Sequence, residues 1–242
     1  MALIIKVKVK EIFYITGDTH RDFERIELFC MENNTTKEDV LIVLGDVGIN
    51  YFGGIKDWSL KHHLNKLPII LFCIQGNHEQ RPFNIETYEE VEMFGAKVYF
   101  EKEFDNLVFA KDGEIYNFNG LETVVIGGAY SIDKFYRIMN NLHWFKDEQP
   151  SDKIKKYVEK NLKNRKWKVD LVLTHTCPFN YRPTEAFLSI RNQNMVDTST
   201  EKWLQAIEDK LEYKKWYCGH FHIEKTDEKI RFLFNDIIEL KI

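Results

Sequence analysis

Residues 69–79 read IILFCIQGNHE: six apolar residues, a glutamine, then glycine followed by three polar side chains able to do chemistry. A short, β-rich, wholly apolar run suits a strand covered on both faces. Glycine directly after such a run permits a tight turn out of the sheet and close approach of backbone. The same construction recurs along the chain. Ile12–Thr16 (IFYIT) leads into Gly17-Asp18-Thr19-His20, and Val40–Leu44 (VLIVL) into Gly45-Asp46. Asp170–Thr174 (DLVLT) leads into His175, and Lys215–Cys218 (KWYC) into Gly219-His220-Phe221-His222. Between the first three runs, Phe23, Ile26, Phe29 and Cys30 fall near helical spacing, and Trp58–Leu64 forms a weaker helical pattern. The opening is therefore βαβαβ, the pattern of a layered α/β domain.

The middle of the chain changes character. Lys97–Phe100, Leu107–Ala110, Glu114–Phe118 and Glu122–Ile126 read as short strands of an antiparallel meander. Asp105-Asn106, Asp112-Gly113 and Asn119-Gly120 mark its turns, the last two being good hairpin dipeptides. Helices are expected over Ile132–Asn140, Asp152–Lys166 and Thr200–Leu211, and further strands over Ile223–Ile242. The alternating Met1–Lys10 (MALIIKVKVK) also reads as a strand. With no Pro/Gly/Ser-rich linker and no internal repeat, residues 1–242 are expected to form one α/β domain of two sheets with flanking helices.

Composition narrows the function. The 242 residues carry 34 Lys+Arg against 38 Asp+Glu, a net charge of −4, which argues against a partner gripped mainly through a nucleic-acid backbone. A small anionic substrate needs only a local positive centre. No apolar stretch approaches a transmembrane span, and the N-terminus lacks the longer apolar core of a signal peptide. Cys30, Cys73, Cys177 and Cys218 are not in CxxC spacing, so they read as reduced, buried thiols of a cytoplasmic protein.

In an α/β sheet, ligands bind just beyond the carboxyl ends of the strands. Five strand ends converging there would gather Asp18, His20, Asp46, Asn77, His78, His175, His220 and His222. Any one of these has an ordinary use: Asp18 or Asp46 as a helix cap, Asn77 as a turn residue, His175 as a hydrogen-bonded structural histidine. Capping and turn roles do not predict five such clusters in order. Carboxylates, imidazoles and an amide oxygen together suit Mn, Fe or Zn. Seven ligand candidates are too many for one tetrahedral ion but suit two neighbouring divalent ions, which can make a hydroxide from water and clamp an in-line displacement at phosphorus.

The ordered set GDTH, GD, GNHE, TH and GHFH, spanning Asp18 to His222, resembles the calcineurin-like metallophosphoesterase superfamily. The resemblance implies a four-layer αββα sandwich with two mixed sheets. It assigns Asp18, His20 and His222 to a first metal, Asp46 to a bridge, and Asn77, His175 and His220 to a second metal. His78 would contact a phosphoryl oxygen or protonate the leaving oxygen. The metals implied are Mn first, with Fe, Zn or Ni as alternatives. The GNHE form is that of the Ser/Thr protein phosphatases, but the chain departs from that branch elsewhere. Arg21 stands where it has Gly, Ile49 and Asn50 where it has an Asp-Arg pair, and Gln75 where it has Arg.

With those arginines missing, Arg137 or Arg21 is expected to grip the substrate phosphate, since arginine offers a bidentate fork. Tyr51, Tyr130, Tyr136 and Trp144 are expected to form an aromatic wall. The function expected is a phosphomonoesterase or phosphodiesterase, with a metal-bridging hydroxide as nucleophile. Two alternatives stand beside it: a nuclease, for which nucleic acid would be the substrate, and a non-catalytic binding module of the same fold.

Overall fold

The computed structural model describes residues 11–187 and 196–241. The strand expected over residues 1–10 lies outside them. Chain order begins with β1 (Phe13–Thr16), α1 (Glu24–Asn33), β2 (Val40–Val43), α2 (Gly54–Leu64) and β3 (Ile70–Cys73). There follow β4 (Glu89–Met93), β5 (Ala96–Phe100), β6 (Leu107–Ala110), β7 (Ile115–Phe118) and β8 (Leu121–Ile126). The last part holds α3 (Lys134–Met139), α4 (Asp152–Asn164), β9 (Leu171–Thr174), α5 (Ser199–Glu208), β10 (Lys215–Cys218), β11 (Lys225–Asp227), β12 (Ile230–Phe232) and β13 (Ile238–Glu239).

The strands form two mixed sheets. One is seven-stranded, ordered β13-β1-β2-β3-β6-β5-β4, and the other six-stranded, ordered β11-β12-β10-β9-β8-β7. Each has a parallel centre, β1-β2-β3-β6 and β12-β10-β9-β8, with antiparallel strands at its edges. Alternation along the apolar runs explains the layering. In β2, Val40 and Ile42 enter the core between the sheets, whereas Leu41 and Val43 face out against Ile26, Cys30 and Leu64 of α1 and α2. In β9, Leu171 and Leu173 point inward, and Val172 packs with Val158 and Leu162 of α4 and Leu204 and Ile207 of α5. Both faces of each central strand are thus covered, as the expected four-layer α/β sandwich requires. No helix among the described residues is long and apolar enough to cross a membrane.

Two features differ from the sequence expectation. The meander is divided: β5 and β6 belong to the first sheet, and β7 and β8 to the second. Asn119-Gly120 does close a two-residue hairpin, with Phe118 opposite Leu121. Asp112-Gly113 instead carries the chain between sheets. The Asp112 carboxylate is bound by Arg81 Nη1 at 2.5 Å and by the Gly127 N–H at 2.6 Å, so it pins a crossing rather than a hairpin. The second difference is β4, which sequence reading passed over because Glu89, Glu90 and Glu92 mask Val91 and Met93. As an edge strand, β4 gains from such charges, which discourage pairing with another chain.

Phe72 sits in the core between the sheets, edge-on to Tyr116 at 5.0 Å and Phe118 at 5.4 Å, and joins the two layers. Phe72→Ala is expected to cost about 3–5 kcal/mol in urea unfolding; a loss below about 1 kcal/mol would show that the interface does not depend on this ring.

Candidate metal centre

The carboxyl ends of β1, β2 and β3 in one sheet and of β9 and β10 in the other lie along one common edge. The bonds joining the sheets there are made by the residues singled out above. Asp18 Oδ1 accepts from the backbone N–H of His220 at 2.8 Å, and His175 Nδ1 lies 2.7 Å from the Leu44 carbonyl oxygen. These approaches need glycine. A Cβ at Gly45 would fall 2.2 Å from His175 Nδ1, and one at Gly219 would fall 2.4 Å from Asp18 Oδ1. His20, Asp46, His220 and His222 adopt positive φ (47°, 46°, 67° and 52°), a conformation uncommon for residues with a Cβ and concentrated at functional sites.

Two donor sets result. In the first, His20 Nε2 and His222 Nε2 stand 2.8 Å apart, with Asp18 Oδ2 3.2 Å from His222 and 3.6 Å from His20. The second brings together Asp18, Asp46 and His175, with Asn77 beside them. Its chemistry asks for a cation. The Leu44 carbonyl can only accept, so Nδ1 of His175 carries a proton and Nε2 is the ring nitrogen turned toward the donor set. It faces Asn77 Oδ1 at 2.8 Å and Asp46 Oδ1 at 3.5 Å. Asn77 presents its oxygen because its Nδ2 donates to Ser131 Oγ at 2.9 Å. An imidazole nitrogen, an amide oxygen and a carboxylate oxygen placed in this way fit a divalent ion. Asp46 spans the sets, with Oδ1 toward His175 and Oδ2 3.8 Å from His20. The His220 ring lies edge-on to His175 at 4.9 Å.

Burial and mutual charge shift several of these groups. Burial would raise Asp18, yet His175, His20 and His222 hold its carboxyl well below the usual range. Burial, reinforced by His175, brings His220 down to about 3, so its ring is neutral at neutral pH. Burial also lowers His78, with Arg137 and His20 adding to it and Asp46 and Asp133 opposing. His20 is raised: burial works against its charge, but Asp18 and Asp46 outweigh it.

His78 donates its backbone N–H to Asp46 Oδ1 at 2.8 Å, and its Nε2 lies 3.9 Å from Asp46 Oδ2. It lines a cleft of about 510 Å³ together with His20, Asp46, Asn77, His220 and His222. The two arginines fare differently. Arg21 is turned away: Nη1 donates to Asp57 Oδ1 at 2.6 Å and to the Gly48 carbonyl, and the guanidinium packs over Phe52. Arg137 lies close enough to act on His78, held by Asp133 at 2.8 Å and by the Tyr51 hydroxyl at 2.8 Å. Of the expected aromatic wall, only Tyr130 lines the cleft. Tyr136 is exposed, Tyr51 holds Arg137, and Trp144 donates to Glu148 Oε2 at 2.7 Å.

Three supporting residues escaped sequence reading. Ser131 orients Asn77 by accepting from its Nδ2. Glu79, noticed only as the last letter of GNHE, ties the loops after β2 and β3 together: Oε1 accepts from Gly76 N–H and Oε2 from Gly48 N–H, both at 2.9 Å. Burial beside Asp46 pushes Glu79 up to about 8 against those donors. Glu201, also buried, lines the cleft. Only the run TVVIGG before Ser131 hinted at a further strand end.

A profile of calcineurin-like phosphoesterases matches residues 12–224. The chain belongs to that family. Its members are metal-dependent phosphoesterases, and the two donor sets fall within the matched span. Among solved structures, the phosphoesterase chain is similar to TT1561 of Thermus thermophilus, at 11% identity and a TM-score of 0.49. It is also similar to phosphopantetheinyl hydrolase from Mycobacterium tuberculosis, at 14% identity and a TM-score of 0.46. In both cases the match covers 93% of this chain and 89% of the other. A protein serine/threonine phosphatase from Saccharomyces cerevisiae matches at 12% identity over 95% of this chain and 68% of its own, with a TM-score of 0.34. No match was found among curated proteins.

Groups that orient metal ligands typically contribute about 10–100-fold to metal affinity, so Ser131→Ala is expected to weaken binding of one ion by about that factor. Calorimetric titration with Mn measures it; unchanged affinity would remove the Asn77 amide from the ligand set.

Proposed function

We propose that this phosphoesterase holds two divalent ions and hydrolyses a phosphate mono- or diester. The observation that carries the proposal is the convergence of seven donor side chains, from five strand ends of two sheets, into two adjoining sets at the floor of one cleft. Asp18, His20 and His222 would hold the first ion, Asn77, His175 and His220 the second, and Asp46 would bridge them. The donor types suit Mn, Fe, Zn or Ni, and Mn is the first choice. Such a pair supplies Lewis acidity to the phosphoryl oxygens and lowers the pKa of water.

The chain's own residues do the rest. Asp18 and Asp46, buried and hydrogen-bonded by backbone N–H groups, are fixed in position. His78 stands at the rim of the donor sets, placed to contact a phosphoryl oxygen or to protonate the leaving oxygen. Arg137 stands behind it, clamped by Asp133 and Tyr51, and adds positive charge to the phosphate end. Arg21 joins the loop after β1 to α2 through Asp57, so its part in substrate binding is indirect. All four cysteines are free and buried, which fits work in the cytoplasm.

The test is metal reconstitution of chelated protein, followed by turnover of p-nitrophenyl phosphate and bis-p-nitrophenyl phosphate. Metal-dependent turnover is expected, lost to background in Asp46→Ala; turnover indifferent to metal and to that substitution would contradict the mechanism. Removing one group that stabilises transition-state charge costs about 10²–10³ in kcat, and His78→Asn is expected to fall in that range under the same conditions. A change in KM alone would reduce His78 to a binding role.

A further inference from the structure

We infer that the alcohol part of the substrate carries hydrogen-bond donors, hydroxyl or ammonium groups, which Glu201 receives within the cleft. This rests on the phosphoesterase reading and narrows its substrate class. Glu201 lies in the first turn of α5, is 4% exposed, and lines the same cleft as His20, Asp46, His78 and His220. Its Oε1 accepts from Thr176 Oγ1 at 2.9 Å, while Oε2 meets no hydrogen-bond partner among the described residues. Arg182, which lines the cleft too, acts on Glu201 only through its charge and does not hydrogen-bond it: its Nε donates to the Phe179 carbonyl at 3.2 Å and its guanidinium stacks on the Phe179 ring at 3.8 Å.

A buried carboxylate oxygen without a donor is costly. Glutamine would serve Thr176 equally well and carry no charge, so packing alone gives no reason for glutamate. A ligand bearing a donor does. Asp133 repeats the pattern in the same cleft: Oδ2 is bound by Arg137 Nε, while Oδ1 is buried with no hydrogen-bond partner among the described residues. A carboxylate repels phosphate, so Glu201 belongs to the part of the cleft that receives the alcohol, whereas Asp133 is paired with Arg137. The same repulsion disfavours a polyphosphate chain running past Glu201. Phe187 and Phe221, stacked 6.0 Å apart at 19°, give that part of the cleft an apolar surface on which a carbon backbone can lie.

The experiment compares three esters with the same three-carbon length on the metal-loaded full chain: propyl phosphate, glycerol 1-phosphate and 3-aminopropyl phosphate, with phenyl phosphate as a reference. Sites built to bond a substrate donor reject analogues lacking it, so one donor-bearing ester is expected to exceed propyl phosphate in kcat/KM by about tenfold or more. Glu201→Gln keeps the Thr176 bond and is expected to bring that ratio to within about twofold of one. Whichever donor-bearing ester is preferred identifies the group received, hydroxyl or ammonium. Equal kcat/KM for the three esters, or a preference that survives Glu201→Gln, overturns the inference while leaving the phosphoesterase reading intact. No turnover of any ester with any metal overturns that reading, and the inference with it.

Discussion

The structure depends on how two sheets are locked together at one edge. Three contacts do this: the His220 N–H on Asp18 Oδ1, His175 Nδ1 on the Leu44 carbonyl, and the Gly128 N–H on the Gln75 carbonyl at 2.7 Å. Each joins a loop of the first sheet to a loop of the second. Without them the sandwich would still bury its apolar faces, but the two halves of the donor set would have no fixed relation. The same contacts place a proton on His175 Nδ1 and aim its Nε2 at Asn77. Fold and chemistry meet in these few polar bonds, which are buried and so costly to leave unmade.

The cost of that arrangement is visible in the backbone. Asp46, His20, His220 and His222 are held at positive φ, and Glu79 is a buried carboxylate whose charge burial resists. Sites that must present converging ligands commonly store strain of this kind. Here the surrounding β-sandwich supplies the stability, with Phe72, Tyr116 and Phe118 interleaved between the layers.

Much of this was legible in the sequence because the informative residues follow apolar runs directly. Asp18, His20, Asp46, Asn77, His78, His175, His220 and His222 each leave a strand end, and strand ends are local features. What was not legible depends on distant partners. Arg21 looks free in sequence, yet Asp57, thirty-six positions on, takes its guanidinium. Ser131 looks like any loop serine until Asn77 is seen to donate to it. Asp112-Gly113 has a hairpin's composition, but a hairpin also needs its two strands to be neighbours, and composition does not say which sheet a strand joins. The return of β13 to pair with β1, with Ile15 opposite Ile238, is a choice of the same kind.

The account centres on two ions held by side chains drawn from both sheets. The most direct test is a crystal structure of manganese-loaded protein with anomalous scattering measured for the metal. Two anomalous peaks per chain are predicted, one among Asp18, His20 and His222, the other among Asn77, His175 and His220, with Asp46 touching both. A single peak, or density outside these side chains, would contradict it.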